Sequence, residues 1–86
     1  MLIITSKKFD KKFKKLSQKA KLYAKNRIIL FISNPFDLRL NNHLLHGKKK
    51  LFRSINITGD LRLIYEEINE DTVRFLDLDT HSTLYS

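Results

Sequence analysis

The first third of the chain has the apolar spacing of a helix. Apolar residues recur every three or four positions in a lysine-rich background, at Phe9, Phe13, Leu16, Ala20, Tyr23 and Ala24. This spacing places side chains on one face of a helix. Thr5 and Ser6 precede the run, and either is a suitable N-cap residue. The run is predicted to end near Phe31 or Ile32, because the Pro35 ring disfavours helical geometry in the residue before it.

This helical run exceeds 25 residues, which is long for one helix in a chain of 86 residues. A single amphipathic rod of that length would find no partner to cover its apolar stripe. We therefore expect a break near Ser17 to Lys19 and an antiparallel pair of helices. Such a pair can pack on a sheet.

The period changes to that of β-strands in the second half. Branched and aromatic residues are dense in three segments, residues 51–58, 61–68 and 72–79. Gly59-Asp60 and residues 69–71 separate these segments as tight turns. The apolar stretch from Leu2 to Ile4 supplies a fourth strand. The sequence thus predicts an α+β fold of order β-α-α-β-β-β, a small antiparallel sheet with an N-terminal helical hairpin packed on one face.

Composition narrows the class of protein. A chain of this length builds one small core, so we expect a single domain over residues 1–86. There is no cysteine, and the three histidines lack the spacing of a zinc site, so we expect neither a metal nor a cofactor, and a reducing cytoplasm as the compartment. The stretch from Leu2 to Ile4 is too short for a signal-peptide core or a membrane span.

The net charge of +8 is unevenly distributed. Residues 1–27 carry ten Lys and Arg against one acid, whereas residues 63–86 carry one Arg against six acids. The basic end favours a polyanion or an acidic protein partner. The same lysines also suit a solvated helix face. A membrane surface is disfavoured, because the sheet needs the apolar faces of the helices for its own core.

The second half also holds the residues suited to chemistry on RNA: His43, His46, Lys48, Lys49, Lys50, Arg53, Asp60, Arg62, His81 and Tyr85. Cleavage of RNA through its own 2′-hydroxyl needs a base, an acid and cations near the phosphate, and it needs no metal. His43 or His46, with His81 and Asp60, are candidates for the proton transfers. The lysines and arginines are candidates for charge stabilisation. Several of them lie in the long connection of residues 35–50, and long loops often carry function.

Each of these residues also has a structural interpretation. Asp60 follows Gly59 and is a common turn residue, and Arg62 suits a cross-strand ion pair. If both are extended, Asp60 and Arg62 lie on the same side of their strand, where they pair or jointly face a phosphate, and the spacing does not decide between these. The others suit turns, solvated surface or core packing: His46, Lys48 to Lys50, His81 and Tyr85.

Five motifs are spaced along the chain: Asn-Pro-Phe at 34–36, His-x-Leu-x-Gly at 43–47, Phe-Arg-Ser-Ile at 52–55, Gly-Asp-x-Arg-x-Ile-Tyr at 59–65 and Thr-His-Ser-x-Leu-Tyr at 80–85. In order and spacing they resemble the RelE/StbE toxins of bacterial type II toxin-antitoxin modules, in particular the YafQ-like branch. The resemblance covers essentially the whole chain. It implies a small antiparallel sheet with a helical hairpin against it. It also implies cleavage of mRNA, typically in the ribosomal decoding site, restrained by a cognate antitoxin.

The resemblance also implies roles for residues. Four match positions on which YafQ-like toxins rely: His43, Asp60, His81 and Tyr85. Arg62 matches an arginine with which other RelE relatives stabilise the phosphate. Two positions depart from the branch, since Asn56 stands where it has a histidine and Asp77 where it has an arginine. Asparagine forms hydrogen bonds but does not transfer a proton as histidine does, and His46 is the candidate substitute.

The sequence therefore predicts a cytoplasmic, metal-independent endoribonuclease that acts on mRNA at the ribosome and is inhibited by an antitoxin, with no membrane partner and no small-molecule cofactor. Contacts to messenger and ribosomal RNA are expected from Lys48, Lys49, Lys50 and Arg53. The alternative is a non-catalytic protein of RelE/ParE fold that acts through protein partners, such as an antitoxin or gyrase. A binding protein tolerates loss of His43, Asp60 and His81, whereas a nuclease does not.

Overall fold

The computed structural model describes residues 1–45 and 51–80. The elements are β1 (Leu2–Thr5), α1 (Lys7–Lys15), α2 (Gln18–Ser33), a 3₁₀ turn (Leu38–Leu40), β2 (His43–Leu44), β3 (Phe52–Asn56), β4 (Leu61–Asn69) and β5 (Thr72–Thr80). This order confirms the α+β class, the helical pair and the three-stranded meander. No helix in the described ranges is both long and apolar enough to cross a membrane.

Two serines begin the two helices. The Ser6 hydroxyl accepts a hydrogen bond from the backbone N–H of Phe9 at 3.0 Å, and the Ser17 hydroxyl accepts one from Ala20 at 3.1 Å. Each cap satisfies a backbone donor that has no partner within its helix. The second cap separates α1 from α2, which confirms the predicted break near Ser17.

The described residues form a sheet of five strands in the order β1-β5-β4-β3-β2. β2 to β5 pair antiparallel, whereas β1 pairs parallel to β5, with Ile3 opposite Val73. The sheet is therefore mixed, because the helices and the meander between β1 and β5 bring the chain back to lie alongside its first strand. The structure also adds the two-residue strand β2, which is too short to show an alternating period in the sequence.

The helices cover one face of the sheet and form the core with it. The Phe31 ring lies 4.8 Å from the Tyr65 ring and 6.0 Å from the Phe75 ring, and Phe9 lies 5.4 Å from Phe75. Leu63 belongs to the same buried cluster. Because side chains alternate across a strand, the neighbouring positions point to the opposite face, which we call the open face.

An extra residue in β5 decides which of its side chains reach the open face. Tyr65 pairs with Phe75 but Ile64 pairs with Asp77, so Leu76 is a β-bulge. Without the bulge, Asp77 would point toward the helices, on the same side as Phe75. With it, Asp77 and the next alternate residue, Asp79, point to the open face, while Leu78 joins the core.

Candidate active site

Two cross-strand rows of side chains run over the open face. Strand register gives one row of His43, Ser54, Ile64 and Asp77, and a second row of Asn56, Arg62 and Asp79. The rows are two residues apart along the strands, or roughly 7 Å. The open face thus brings together the predicted site residues His43 and Arg62. It also holds both positions that depart from the YafQ-like pattern, Asn56 and Asp77.

His43 is oriented by the backbone just before it. Its Nδ1 atom lies 2.8 Å from the carbonyl oxygen of Asn41. A carbonyl only accepts, so in the neutral ring Nδ1 carries the proton and Nε2 carries the lone pair. Asn41 has a φ of 46°, a left-handed conformation that asparagine tolerates better than most residues. This local geometry therefore fixes the tautomer of the neutral His43 ring.

Asp60 lies in the turn between β3 and β4 rather than in extended strand. The Thr58 hydroxyl accepts a hydrogen bond from the N–H of Leu61 at 3.0 Å. Arg62 donates from Nη1 to the carbonyl oxygens of Thr58 at 3.0 Å and Gly59 at 3.1 Å. The predicted same-side placement of Asp60 and Arg62 required both to be extended, and that condition is not met. Instead, the Arg62 guanidinium braces the turn that carries Asp60.

The end of β5 lies beside this turn. Thr80 pairs with Leu61, the residue that follows Asp60. The described chain ends at Thr80, and the other predicted site residues lie outside the described residues: His46, Lys48, Lys49, Lys50, His81 and Tyr85. Their roles stay predictions.

Arg53 lies on the helix-bearing face, where it pairs in register with Tyr65. Its Nε donates to the side-chain oxygen of Asn42 at 2.8 Å, and its guanidinium carbon lies 5.2 Å from the centre of the Phe36 ring. Asn42 in turn donates to the Tyr65 hydroxyl at 2.8 Å. Burial raises the pKa of Tyr65. The sequence predicted that Arg53 contacts RNA. Strand alternation places its side chain on the face of the sheet opposite His43 and Arg62.

A cluster of two lysines and two aspartates, which the sequence analysis missed, borders the open face. Lys12 Nζ lies 2.9 Å from Asp77 and 2.9 Å from Asp79, and Lys8 Nζ lies 3.2 Å from Asp77. The hydrogen bond with Asp77 is the main cause that raises the pKa of Lys12. The hydrogen bond from Lys12 is the main cause that lowers the pKa of Asp79. The available signal was the four-residue spacing of the lysines and the two-residue spacing of the aspartates.

Replacing Lys12 by alanine is expected to raise the pKa of Asp79 toward its ordinary value. Because the pKa of Asp79 is lower in the folded than in the unfolded state, its carboxylate stabilises the fold at a pH above the ordinary pKa. This stabilisation is lost as the pH falls through the folded-state pKa. The variant should therefore lose less stability on acidification than the wild type does. The measurement is an NMR titration of the aspartate carboxyl carbons, with urea unfolding at neutral and acidic pH.

Asp37 provides an internal control for that titration. Hydrogen bonds from Arg39 lower the pKa of Asp37 to about 2, and Lys12 takes no part in them. The Asp37 midpoint should stay constant in the Lys12→Ala variant. An Asp79 midpoint that also stayed constant would show that Lys12 does not set its pKa.

Two buried polar atoms on the open face have no hydrogen-bond partner among the described residues: the Ser54 hydroxyl oxygen and the Asn56 side-chain oxygen Oδ1. A buried acceptor without a partner costs ~1–3 kcal/mol. A group of this kind calls for an explanation, such as backbone strain, a bound water or a catalytic role. Asn56 also lines a groove of about 440 Å³ between α2 and the end of β3, together with Lys19, Tyr23, Arg27 and Arg39. Its cations and aromatic ring suit a nucleic-acid strand.

Residues 1–45 and 51–80 contain no group of three or more His, Asp or Glu side chains arranged to hold a metal ion.

Comparisons with known proteins agree with the resemblance in the sequence. E. coli YafQ is 28% identical, with a TM-score of 0.77 over 98% of this chain and 97% of that chain. The chain matched in the E. coli DinJ-YafQ complex is 29% identical, with a TM-score of 0.74 over 98% and 97%. A metal-bound toxin from Helicobacter pylori is 34% identical, with a TM-score of 0.71 over 99% of each chain.

Comparison with the curated proteins finds no match. The family model for YafQ, described as a bacterial toxin of type II toxin-antitoxin systems, matches residues 1–86. Since that match spans the whole chain, and since the fold and the motifs agree with it, the protein belongs to the YafQ family of type II bacterial toxins.

Proposed function

We propose that this toxin inhibits translation in the cytoplasm by cleaving mRNA on the ribosome, without a metal ion. The observation that carries the proposal is the convergence on one sheet face of His43, Asn56 and Arg62, beside the turn that holds Asp60. A histidine, a carboxylate and a guanidinium are the groups needed for proton transfer and charge stabilisation at a phosphodiester.

In the proposed reaction, the 2′-oxygen forms a bond to phosphorus while the bond from phosphorus to the 5′-oxygen breaks. One group takes the 2′-hydroxyl proton and another gives a proton to the departing 5′-oxygen. His81 and Asp60 share these transfers, and His43 assists through Nε2. Arg62 steadies the charged phosphorus centre as well as the turn of Asp60. The products are a 2′,3′-cyclic phosphate and a 5′-hydroxyl end.

Other residues bind the RNA in this proposal. The groove beside α2 offers Lys19, Arg27 and Arg39 to phosphates and the Tyr23 ring to a base. Asn56 lines the same groove. Lys48, Lys49 and Lys50 remain predicted RNA contacts, and Tyr85 is predicted to stack on a base. Arg53 is given no role in this proposal, because its side chain donates to Asn42 and lies against the Phe36 ring.

A cognate antitoxin is the proposed protein partner, because one solved neighbour is the DinJ-YafQ complex. The ten Lys and Arg of residues 1–27 favour an acidic segment of that partner. Three aliphatic side chains are also exposed on α2: Leu22, Ile29 and Ile32. Together these features suit an amphipathic antitoxin segment that neutralises the lysines and covers the apolar residues.

The test is cleavage of a message on purified ribosomes, with mapping of the product ends. We expect 2′,3′-cyclic phosphate and 5′-hydroxyl ends. Cleavage should persist with 1,10-phenanthroline, which removes transition metals but leaves the Mg²⁺ that ribosomes require. That arm matters because one solved neighbour is a metal-bound toxin. Absence of cleavage would refute the nuclease proposal, and cleavage lost with the chelator would refute the metal-free mechanism.

A further inference from the structure

A second groove, of about 380 Å³, lies at the α1 side of the open face. Its described lining is mostly apolar: Leu45, Phe52, Ile64 and Leu76, with Ser6, Lys8 and Asp77 as the polar members. Ile64 and Asp77 belong to the same cross-strand row as His43. Asp77 is three strand spacings from His43, or roughly 14 Å. The groove therefore lies a short distance along the sheet from the proposed cleavage site.

The walls of the groove suit a flat apolar ring rather than a phosphate. Phe52 contributes an aromatic ring to the lining, and any nucleobase can stack on such a ring. Leu45 and Leu76 add aliphatic surface, which would leave a phosphate without hydrogen bonds. Lys8, the basic residue in the described lining, is 65% exposed and pairs with Asp77 at the rim of the groove, where it suits a phosphate. This arrangement matches a nucleotide whose base enters the groove while its backbone stays at the charged rim.

The polar end of the groove accepts hydrogen bonds. Asp77 Oδ1 already accepts from Lys12 Nζ at 2.9 Å and from the N–H of Leu78 at 2.8 Å. Asp77 Oδ2 lies 3.2 Å from Lys8 Nζ, and the Lys8 side chain is 65% exposed. A carboxylate offers about four acceptor positions, so Oδ2 can take one more N–H donor.

Ser6 does not compete for this donor. Its hydroxyl donates to the carbonyl oxygen of Leu76 at 2.8 Å and accepts from the N–H of Phe9. Asp77 is therefore the acceptor available to a base among the described side chains of the groove, and Lys8 beside it is a donor. A carboxylate favours a base that presents an amino group and disfavours one that presents carbonyl oxygens.

We propose that this groove is a nucleobase subsite of the toxin, and that Asp77 makes it prefer a base with an exocyclic amino group over uracil. The inference rests on the proposed function, because it concerns RNA bound at the same face. Cytosine and uracil give the sharpest comparison, since the two rings are alike in size and differ at position 4. Cytosine carries an amino donor there and uracil a carbonyl oxygen, which the carboxylate repels.

The test uses 2′-O-methyl hexamers of cytidine and of uridine, which bind but lack the 2′-hydroxyl needed for cleavage. Fluorescence anisotropy gives the ratio of their dissociation constants. We expect the wild type to bind the cytidine hexamer about tenfold more tightly, as for one hydrogen bond to a charged group. Asp77→Ala should bring the ratio close to one. Asp77→Asn keeps the side-chain size and should lower the ratio, because a neutral acceptor bonds more weakly.

Asp79→Ala is the matched control. It removes the same charge and the other partner of Lys12, but Asp79 does not line the groove. Asp77→Ala and Asp79→Ala each remove one negative charge, so both should bind all RNA more tightly. Only the variants at Asp77 should change the ratio of the cytidine and uridine dissociation constants. Phe52→Leu should weaken both hexamers equally. Circular dichroism of each variant establishes that it is folded.

A wild-type ratio near one, or a ratio that Asp77→Ala leaves unchanged, overturns the inference. Weaker antitoxin binding by Phe52→Leu without any change in RNA binding also overturns it, and assigns the groove to an antitoxin side chain. The ribosome assay separates the two proposals. If the wild type cleaves the message but shows no base preference, only the subsite proposal is refuted. If it shows a base preference that depends on Asp77 but does not cleave, only the nuclease proposal is refuted.

Discussion

Replacing His81 and Asp60 together by alanine is expected to lower the rate of mRNA cleavage by at least ~10²–10⁴-fold, since each positioned acid or base typically contributes that much. The loss should be smaller than the product of the two single losses, because the two groups serve the same pair of proton transfers. Asp60 lies in the turn that Arg62 braces, and His81 is assigned from the family motif at residues 80–85. The measurements are cleavage on purified ribosomes and growth arrest on induction.

A matched control for this variant is Asp71→Ala, which removes an exposed turn carboxylate at the far end of β4. It should leave cleavage and growth arrest close to wild type. Circular dichroism and thermal unfolding should show that the double variant still folds, so that lost activity reflects lost chemistry. Full activity in the folded double variant would refute the catalytic assignment and favour a toxin that acts by binding alone.

Replacing Phe31 by alanine is expected to lower the free energy of unfolding by ~3–5 kcal/mol. Phe31 is 1% exposed, and its ring packs edge-on against both Tyr65 and Phe75. Small domains have a total stability of only ~5–15 kcal/mol, so the variant should be close to unfolding at room temperature. Urea unfolding followed by circular dichroism provides the measurement.

Ile29→Ala on the same helix is the control, because Ile29 is 66% exposed. It should change the free energy of unfolding by no more than ~0.5 kcal/mol, as is usual for surface positions. Equal losses in the two variants would mean that α2 does not dock through Phe31. This comparison tests the helix-on-sheet packing independently of any activity.

Local pattern was sufficient for most of the fold. The length of the helical run predicted two helices with a break near Ser17 to Lys19, and two-residue alternation predicted the meander. The parallel pairing of β1 with β5 was not predictable, because Leu2–Thr5 carries no local signal for a partner about 70 residues away. β2 was missed because two residues cannot establish a period.

The candidate site was predictable where residue type and strand face agree. His43 and Arg62 both reach the open face, as their pairing shows. Arg53 was predicted to contact RNA because of its charge, and its two-residue spacing from Ile55 places both side chains on the helix-bearing face. Lys12 was missed because its partners lie 65 and 67 residues away, and only the folded chain brings them together. Predictions for the residues outside the described ranges rest on motif alone.

The bulge at Leu76 lets one strand serve two purposes in succession. The first half of β5 supplies Phe75 to the core with its odd-numbered positions, and the second half supplies Asp77 and Asp79 to the open face with odd-numbered positions again. The extra residue thus exchanges the faces to which odd-numbered and even-numbered positions of β5 point. A relative without it would place the equivalent functional side chains one position earlier. An ungapped alignment of the two strands would then match a carboxylate in one protein with a core position in the other.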